Sequence, residues 1–322
     1  MGTFVLFADD TNIFVQGESK RDAYNKAGLV LEAIYKYMQL NELHINMSKC
    51  CYMYFNPYIL KKIKDADQNN PQLYINGIPI KHVTSTRFLG VVIDEKLTWS
   101  DHIEQLCKKL NCQAGILNRI KECVPSDLYR DLYFTLFESH LTYCISVWGG
   151  VGENRLDPLF VIQKRCIRIL FGNKETFLDK FMTCVRCRSH NHQILGEKLY
   201  CKEHTKPLFN KHKIMTVHNI YNYQCTIEIF KILKLRTPIS LFSKFNISTR
   251  KETLLITPSP TTLFVYKSAI LWNSLKDRLC IYDFSVKISH VKSKLKDLIL
   301  SKQQSGPLPT LWDVGNYQLI KN

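Results

Sequence analysis

The chain has 322 residues, 45% of them hydrophobic, which excludes a disordered polymer and allows roughly two or three domains with their own cores. Lys and Arg outnumber Asp and Glu by 44 to 28, a formal charge of +16 that calls for a polyanionic partner, nucleic acid before a membrane surface. No stretch approaches the ~20 apolar residues of a membrane span, and the twelve cysteines with no basic leader ahead of them suit reduced thiols in the nucleus or cytoplasm, not a secreted protein.

Phe4 to Val15 reads as a β-hairpin, two apolar runs flanking the adjacent carboxylates Asp9 and Asp10. Asp-Asp is ordinary at a surface turn. Held together at a hairpin tip, however, two like charges are costly, and a divalent cation between them removes the cost. Mg²⁺ takes one or two carboxylates and completes its shell with water and phosphate oxygens. Two such ions can clamp the attacking and leaving oxygens of a phosphoryl transfer. A hairpin that begins at residue 4 leads us to expect a larger protein with further sheet strands ahead of it.

Ser19 is a candidate N-cap, and Ala23, Ala27, Val30, Leu31, Ile34, Tyr35 and Met38 recur at helical spacing, predicting an amphipathic helix with one buried face. A strand is expected over Cys50 to Phe55, with Lys49 at its mouth. Lys49 suits a solvated edge charge or, alternatively, a proton donor or charge neutraliser beside a phosphate. Residues 56–72 read as a loop or short helix. Asn76-Gly77 between apolar runs is a hairpin signal, and a second hairpin-like run spans Thr86 to Asp94, where Gly90 suggests a bulge or close backbone approach.

The register then turns helical. Trp99, Ile103, Leu106, Leu110, Ala114, Leu117 and Ile120 form one stripe, with Lys108 and Lys109 on the polar side. A second helix opens at Pro125-Ser126-Asp127, and Gly149, Gly150 and Gly152 end it. A third carries Leu156, Leu159, Phe160, Gln163, Ile167 and Leu170, with Lys164, Arg165 and Arg168 off the stripe. Short connections make these a small bundle. Its basic face suits a solvated surface or one that tracks a phosphate backbone.

Residues 161–250 hold 17 Lys or Arg against 5 Asp or Glu. Tyr200, Phe209, Tyr221, Tyr223 and Phe230 lie between these charges, a pattern suited to phosphate neutralisation with base stacking, or to the surface of an ordinary helical domain. Cys184-x-x-Cys187 and Cys201-x-x-His204 have the spacing of a Cys₃His zinc site, although the chain spends cysteines freely elsewhere. A helix pair is expected from Ile214 to Leu235, then helices over Phe264 to Leu279 and Val286 to Leu300.

In this order the pieces resemble the reverse transcriptase of non-LTR (LINE-type, jockey-like) retrotransposons. Phe7-Ala8-Asp9-Asp10 is similar to that family's catalytic palm box. Leu43 to Phe55, with Asn46, Ser48, Lys49 and Met53, resembles the next palm motif, whose Lys lies near the triphosphate. Phe88-Leu89-Gly90-Val91 with Asp94 resembles the primer grip. Leu97-Thr98-Trp99 with His102-Ile103 resembles the entry to the thumb, and Tyr143, Trp148-Gly149 and Gln163-Lys164-Arg165 resemble later landmarks.

The resemblance implies an α+β chain. A partial palm of β-hairpins plus a helix would occupy 1–95, a thumb-like helical bundle 96–172 and a basic, mainly helical region 173–300, with a tail at 301–322. It implies Asp9, Asp10 and Lys49 as catalytic residues, with Asp9 and Asp10 as Mg²⁺ ligands and two ions in the intact parent. Phe88, Leu89 and Gly90 would grip the primer, and Lys108, Lys109, Lys164, Arg165 and Arg168 would bind nucleic acid. An RNA template, a DNA primer and dNTPs are the implied partners of the parent, with no membrane. The family's fingers and another Asp-bearing motif would lie before residue 1, so this chain is expected to be an inactive fragment of an RNA-directed DNA polymerase. The alternative is a non-catalytic remnant that binds nucleic acid.

Overall fold

The computed structural model describes residues 2–55, 71–151, 153–172, 194–195, 198–199, 205–247, 255–256, 263–276, 278–279, 281 and 284–305. The chain divides into two compact units, Met1–Asp101 and His102–Asn322. The sequence placed a boundary at 95/96 and a second at 172/173. The second of these does not separate units, because helices on either side of it share a core.

In the first unit β1 (Gly2–Phe7) and β2 (Asp10–Val15) pair antiparallel, with Phe7 opposite Asp10. Helix α1 (Lys20–Leu40) comes next. Ser19 caps it as the sequence predicts, its Oγ accepting from the Asp22 amide at 3.1 Å. Asp22 also faces Lys26 at 2.6 Å, one turn on. The predicted apolar stripe is present, but it is only half-covered. Ala23, Ala27, Val30, Leu31, Ile34, Tyr35 and Met38 are not buried, and Tyr24 alone on the helix is. The expected buried face is thus corrected to a partly covered one, because the small sheets that α1 meets cannot cover seven positions over some four turns.

Beyond α1 come β3 (Cys51–Tyr52), β4 (Tyr74–Ile75), β5 (Ile78–Pro79), β6 (Lys81–His82), β7 (Ser85–Phe88) and β8 (Val91–Asp94). The strand expected over Cys50 to Phe55 is reduced to β3, which pairs parallel with β6. Both β4–β5 and β7–β8 are antiparallel hairpins with two-residue turns. Asn76 and Gly77 have φ of 48° and 74°, and Leu89 and Gly90 have 44° and 83°. Two successive positive φ values are what a tight hairpin matched to strand twist demands. Gly90 therefore serves as the second turn residue, not as the expected strand bulge.

The second unit is helical and densely packed. Helix α2 (Ser100–Ile120) buries Ile103, Leu106, Leu110, Ala114 and Leu117, matching its predicted stripe. The expected second helix is broken into α3 (Tyr129–Leu132), a π-helical stretch Tyr133–Glu138 and α4 (Ser139–Thr142). The wider turn buries Tyr133, Phe137 and Glu138 together. Helix α5 (Ile145–Trp148) and helix α6 (Glu153–Phe171) complete this half.

A single 19-residue helix, Val217–Leu235, replaces the expected helix pair. Thr216 caps it, and its apolar residues surround the axis, as they must in a helix enclosed on most sides. It packs against α5, α6 and the helices Leu263–Leu275 and Ile288–Ser305. Gly149 explains the closest approach. A Cβ there would lie 2.6 Å from both the Ile145 carbonyl oxygen and Tyr221 Cδ2.

Two buried glutamines hold the segment entering this helix. Gln163 donates to Tyr133 Oη at 2.8 Å and to the Met215 carbonyl at 2.9 Å, and accepts from the Val217 amide at 2.9 Å. Gln303 donates to the Ile214 carbonyl at 3.0 Å and accepts from Asn219 Nδ2 at 2.8 Å. No described helix is long and apolar enough to cross a membrane.

Candidate functional site

The tip of the first hairpin is a two-residue loop, Ala8 and Asp9. Ala8 has φ of 50°, a left-handed conformation that costs an L-residue roughly 1–2 kcal/mol. Strain of this kind persists where the surroundings over-determine it and is concentrated at functional sites. It sets Asp9 at the apex and Asp10 at the first position of β2, both exposed. Two carboxylates from adjacent residues thus stand at one accessible tip. Their oxygens suit a hard cation that keeps water and phosphate in its shell. Among the described residues no cluster of three or more His, Cys, Asp or Glu forms a metal site, so the tip offers two protein ligands.

The strands that carry the tip have apolar side chains bare on both faces. Phe4 is 50% exposed, Leu6 68% and Phe7 60%. A two-stranded ribbon of this kind is marginal alone, and its apolar side chains are left bare.

Lys49 is exposed and closes a turn, its amide donating to the Asn46 carbonyl at 3.1 Å. Asn46 builds that turn, its Oδ1 accepting from the Ser48 amide at 3.1 Å and from Ser48 Oγ at 2.6 Å. The Asn-x-Ser-Lys pattern is therefore a side-chain-locked turn that fixes the backbone from which Lys49 projects.

Phe88 and Leu89 are half-buried and Gly90 is exposed at the β7–β8 turn. Asp94, at the end of β8, organises the loop that leads into α2. Its Oδ1 accepts from the amides of Lys96 and Thr98, and its Oδ2 from the Trp99 amide at 2.7 Å. Burial raises its pKa, but these amides outweigh that effect and hold the carboxyl below its usual value. Leu97 and Trp99, both at positive φ, are held in this loop.

The basic candidates fall into different settings. Lys108 is exposed and ion-paired to Glu104 at 2.7 Å within α2. Lys109 is exposed, and its charge helps to depress the pKa of His140, after burial. On α6, Lys164 lies 4.4 Å over the Phe160 ring, Arg165 is exposed and Arg168 is half-buried. The rings that the sequence offered for stacking are mostly core. Phe209 is 2% exposed, Tyr221 6% and Phe230 0%, so none of them can receive a base. Tyr223 is half-buried. Tyr200 and the zinc candidates Cys184, Cys187, Cys201 and His204 lie outside the described residues.

Sequence reasoning missed the half-buried rings Phe171, His212 and His218, which stand among the cations instead. It also missed Glu138, which is 7% exposed with Oε2 lacking a hydrogen-bond partner among the described residues. Burial pushes its carboxyl up to about 7, against the opposing pull of Lys296, the Tyr133 hydroxyl and Arg130. No periodicity marks such a residue, since a π-helical turn shifts the buried face by one position.

The chain is 21% identical over 169 residues to the RNA-directed DNA polymerase from mobile element jockey of Drosophila melanogaster, and 23% over 169 residues to that of Drosophila funebris. It is 22% identical over 174 residues to the probable RNA-directed DNA polymerase from transposon X-element of Drosophila melanogaster. Each match covers 52% of this chain and 18% of the relative. The likeness read from the residues is thus to the same class of protein, the polymerases of non-LTR retrotransposons. No family model and no solved structure matches the chain.

Proposed function

We propose that the chain is the rear of the palm, the thumb and a basic C-terminal region of an RNA-directed DNA polymerase of a non-LTR retrotransposon. The observation that carries this reading is the strained hairpin tip, where Ala8 at positive φ presents Asp9 and Asp10 side by side. The sequence likeness to the jockey and X-element polymerases supplies the reaction class.

In this reading Asp9 and Asp10 offer oxygens to Mg²⁺, two ions serving the intact parent. Mg²⁺ held by Asp9 and Asp10 would supply positive charge for a phosphoryl transfer. Lys49 projects its ammonium from the locked turn and neutralises triphosphate charge. Phe88, Leu89 and Gly90 place an apolar turn against the primer strand. Lys108, Lys109, Lys164, Arg165 and Arg168 face template and primer phosphates, and zinc at Cys184, Cys187, Cys201 and His204 is a further element of the proposal. The bare hairpin faces support the view that protein absent from this chain completes the catalytic sheet, so that the 322-residue chain alone does not polymerise.

A second reading, a binding module without chemistry, is favoured by the contrast between the bare hairpin and the closed core of the helical unit. The two are separated by titrating Mn²⁺, as a paramagnetic substitute for Mg²⁺, into isotope-labelled chain. The polymerase reading expects line broadening centred on Ala8–Thr11 that disappears in Asp9→Asn. Broadening that is absent from the tip, or unchanged in the variant, overturns it.

A further inference from the structure

One side of helix α6 sets Phe160, a ring of its predicted stripe, beside two of its proposed phosphate contacts, Lys164 and Arg168. Phe160, Lys164, Arg168 and Phe171 are spaced to share one side of the helix, and all four are half-buried. Leu159, Cys166 and Leu170, turned away from that side, are buried, and so is Ile167, which lies on the same side between Lys164 and Phe171. At ~1.5 Å per residue, Phe160 and Phe171 stand about 16 Å apart along the axis.

Residues 205–218 bring a histidine to each ring. His218 meets Phe160 edge-on with centroids 5.4 Å apart, and His212 lies nearly flat on Phe171 at 3.9 Å. Arg130 reaches across from α3, its Nε donating to the His212 carbonyl at 3.2 Å. Lys211 and Lys213, both exposed, flank His212. Burial, then the charges of Lys211 and Arg130, hold the His212 imidazole below its ordinary value, so the ring stacks as a neutral aromatic at pH 7.

Charge completes the picture. Residues 158–172 and 205–218 together carry Lys164, Arg165, Arg168, Lys206, Lys211 and Lys213, and neither segment contains an Asp or Glu. The nearest carboxylate on α6 is the exposed Asp157, one turn before Phe160.

We propose that this seam binds a single strand of nucleic acid, with phosphates on Lys164, Arg168, Lys211 and Lys213 and unpaired bases at the Phe160–His218 and Phe171–His212 ring pairs. It rests on the polymerase reading for the class of ligand, and places a strand outside the hairpin tip. Rings at two points along a cationic track discriminate strand from duplex, because only an unpaired base offers a face to stack. A basic face without rings would take either form.

The test uses the full 322-residue chain in EDTA, with fluorescein-labelled oligo(dT) and a duplex of equal length, read by fluorescence anisotropy at several salt concentrations. Working in EDTA makes the result independent of metal at Asp9 and Asp10, so failure here and failure of the polymerase reading are separate outcomes. Lys211→Gln/Lys213→Gln, at positions outside the core, is expected to weaken single-strand binding about tenfold and flatten the log K against log salt slope by about 1.4. Phe171→Leu is expected to cost the single strand about fivefold or more and leave the duplex unchanged. Wild-type affinity and slope in the double lysine variant would overturn the proposal. So would equal losses on strand and duplex in Phe171→Leu, which would reduce the seam to a charged surface.

Discussion

The two units are built from sequence of similar apolar content, yet they close to different degrees. In the second, Trp148, Trp272, Tyr133, Phe137 and Phe230 are fully buried, and one apolar helix, Val217–Leu235, is enclosed on most sides. In the first, only Tyr24, Ile75, Ile80, Val91 and Val92 are buried among the described hydrophobic residues, while Leu6, Phe7, Leu29, Tyr37 and Leu40 are more than half exposed. The unit that carries the candidate metal ligands is therefore the one with the thinner core. On the proposed reading, a palm whose sheet is completed by other protein accounts for this pattern.

The contrast predicts unequal responses to the same kind of mutation. The largest effect is expected in the helical core, where Phe137→Ala should cost about 4 kcal/mol in urea unfolding, from lost transfer energy and the cavity left behind. Leu40→Ala, at a position 85% exposed, should change stability by less than ~0.5 kcal/mol. Comparable losses at the two positions would break the distinction.

Glu138 sharpens it through pH. Its carboxyl titrates near 7 in the folded chain against an ordinary value of 4.5, so the folded state takes up a proton between those limits. Stability from the neutral form is full below the unfolded value and is lost as pH rises through about 7. Glu138→Gln should therefore be more stable than wild type by about 3 kcal/mol at pH 8 and about equal to it at pH 4, as read by chemical denaturation. A difference independent of pH would contradict this.

Gly149→Ala comes next. The added methyl meets Tyr221 and the Ile145 carbonyl, and a cost of about 2 kcal/mol is expected in thermal unfolding. A smaller loss is expected at Asp94→Asn, where the loop 95–99 loses a charged acceptor for three amides, at a cost of about 1 kcal/mol. Because the Asp94 carboxyl is held below its usual value, that contribution is present above the unfolded value and lost as pH falls through the folded one.

The comparison also explains what was legible beforehand. The stripe of α2 and the Asn76-Gly77 hairpin turn could be read because period and turn chemistry act locally. The Asp9–Asp10 tip was legible for the same reason. The degree of covering on α1 was not, since Ala23 through Met38 carry the right pattern whether or not anything packs on them. The π-helical turn, the single helix at Val217–Leu235 and the burial of Phe209, Tyr221 and Phe230 depend on partners far away in sequence. A basic segment rich in aromatics looks the same whether its rings face solvent or core. The half-buried rings Phe171 and His212 become a pair only through the return of residues 205–218 to α6.

Hydrogen exchange on the full chain tests the contrast between the units most directly. The account predicts that amides of Ile220–Leu233 exchange only through global opening, while those of the Gly2–Val15 hairpin exchange through local opening, faster by several orders of magnitude. Protection of the hairpin equal to that of the central helix would contradict it, and would mean that the first unit is closed without help from any other protein.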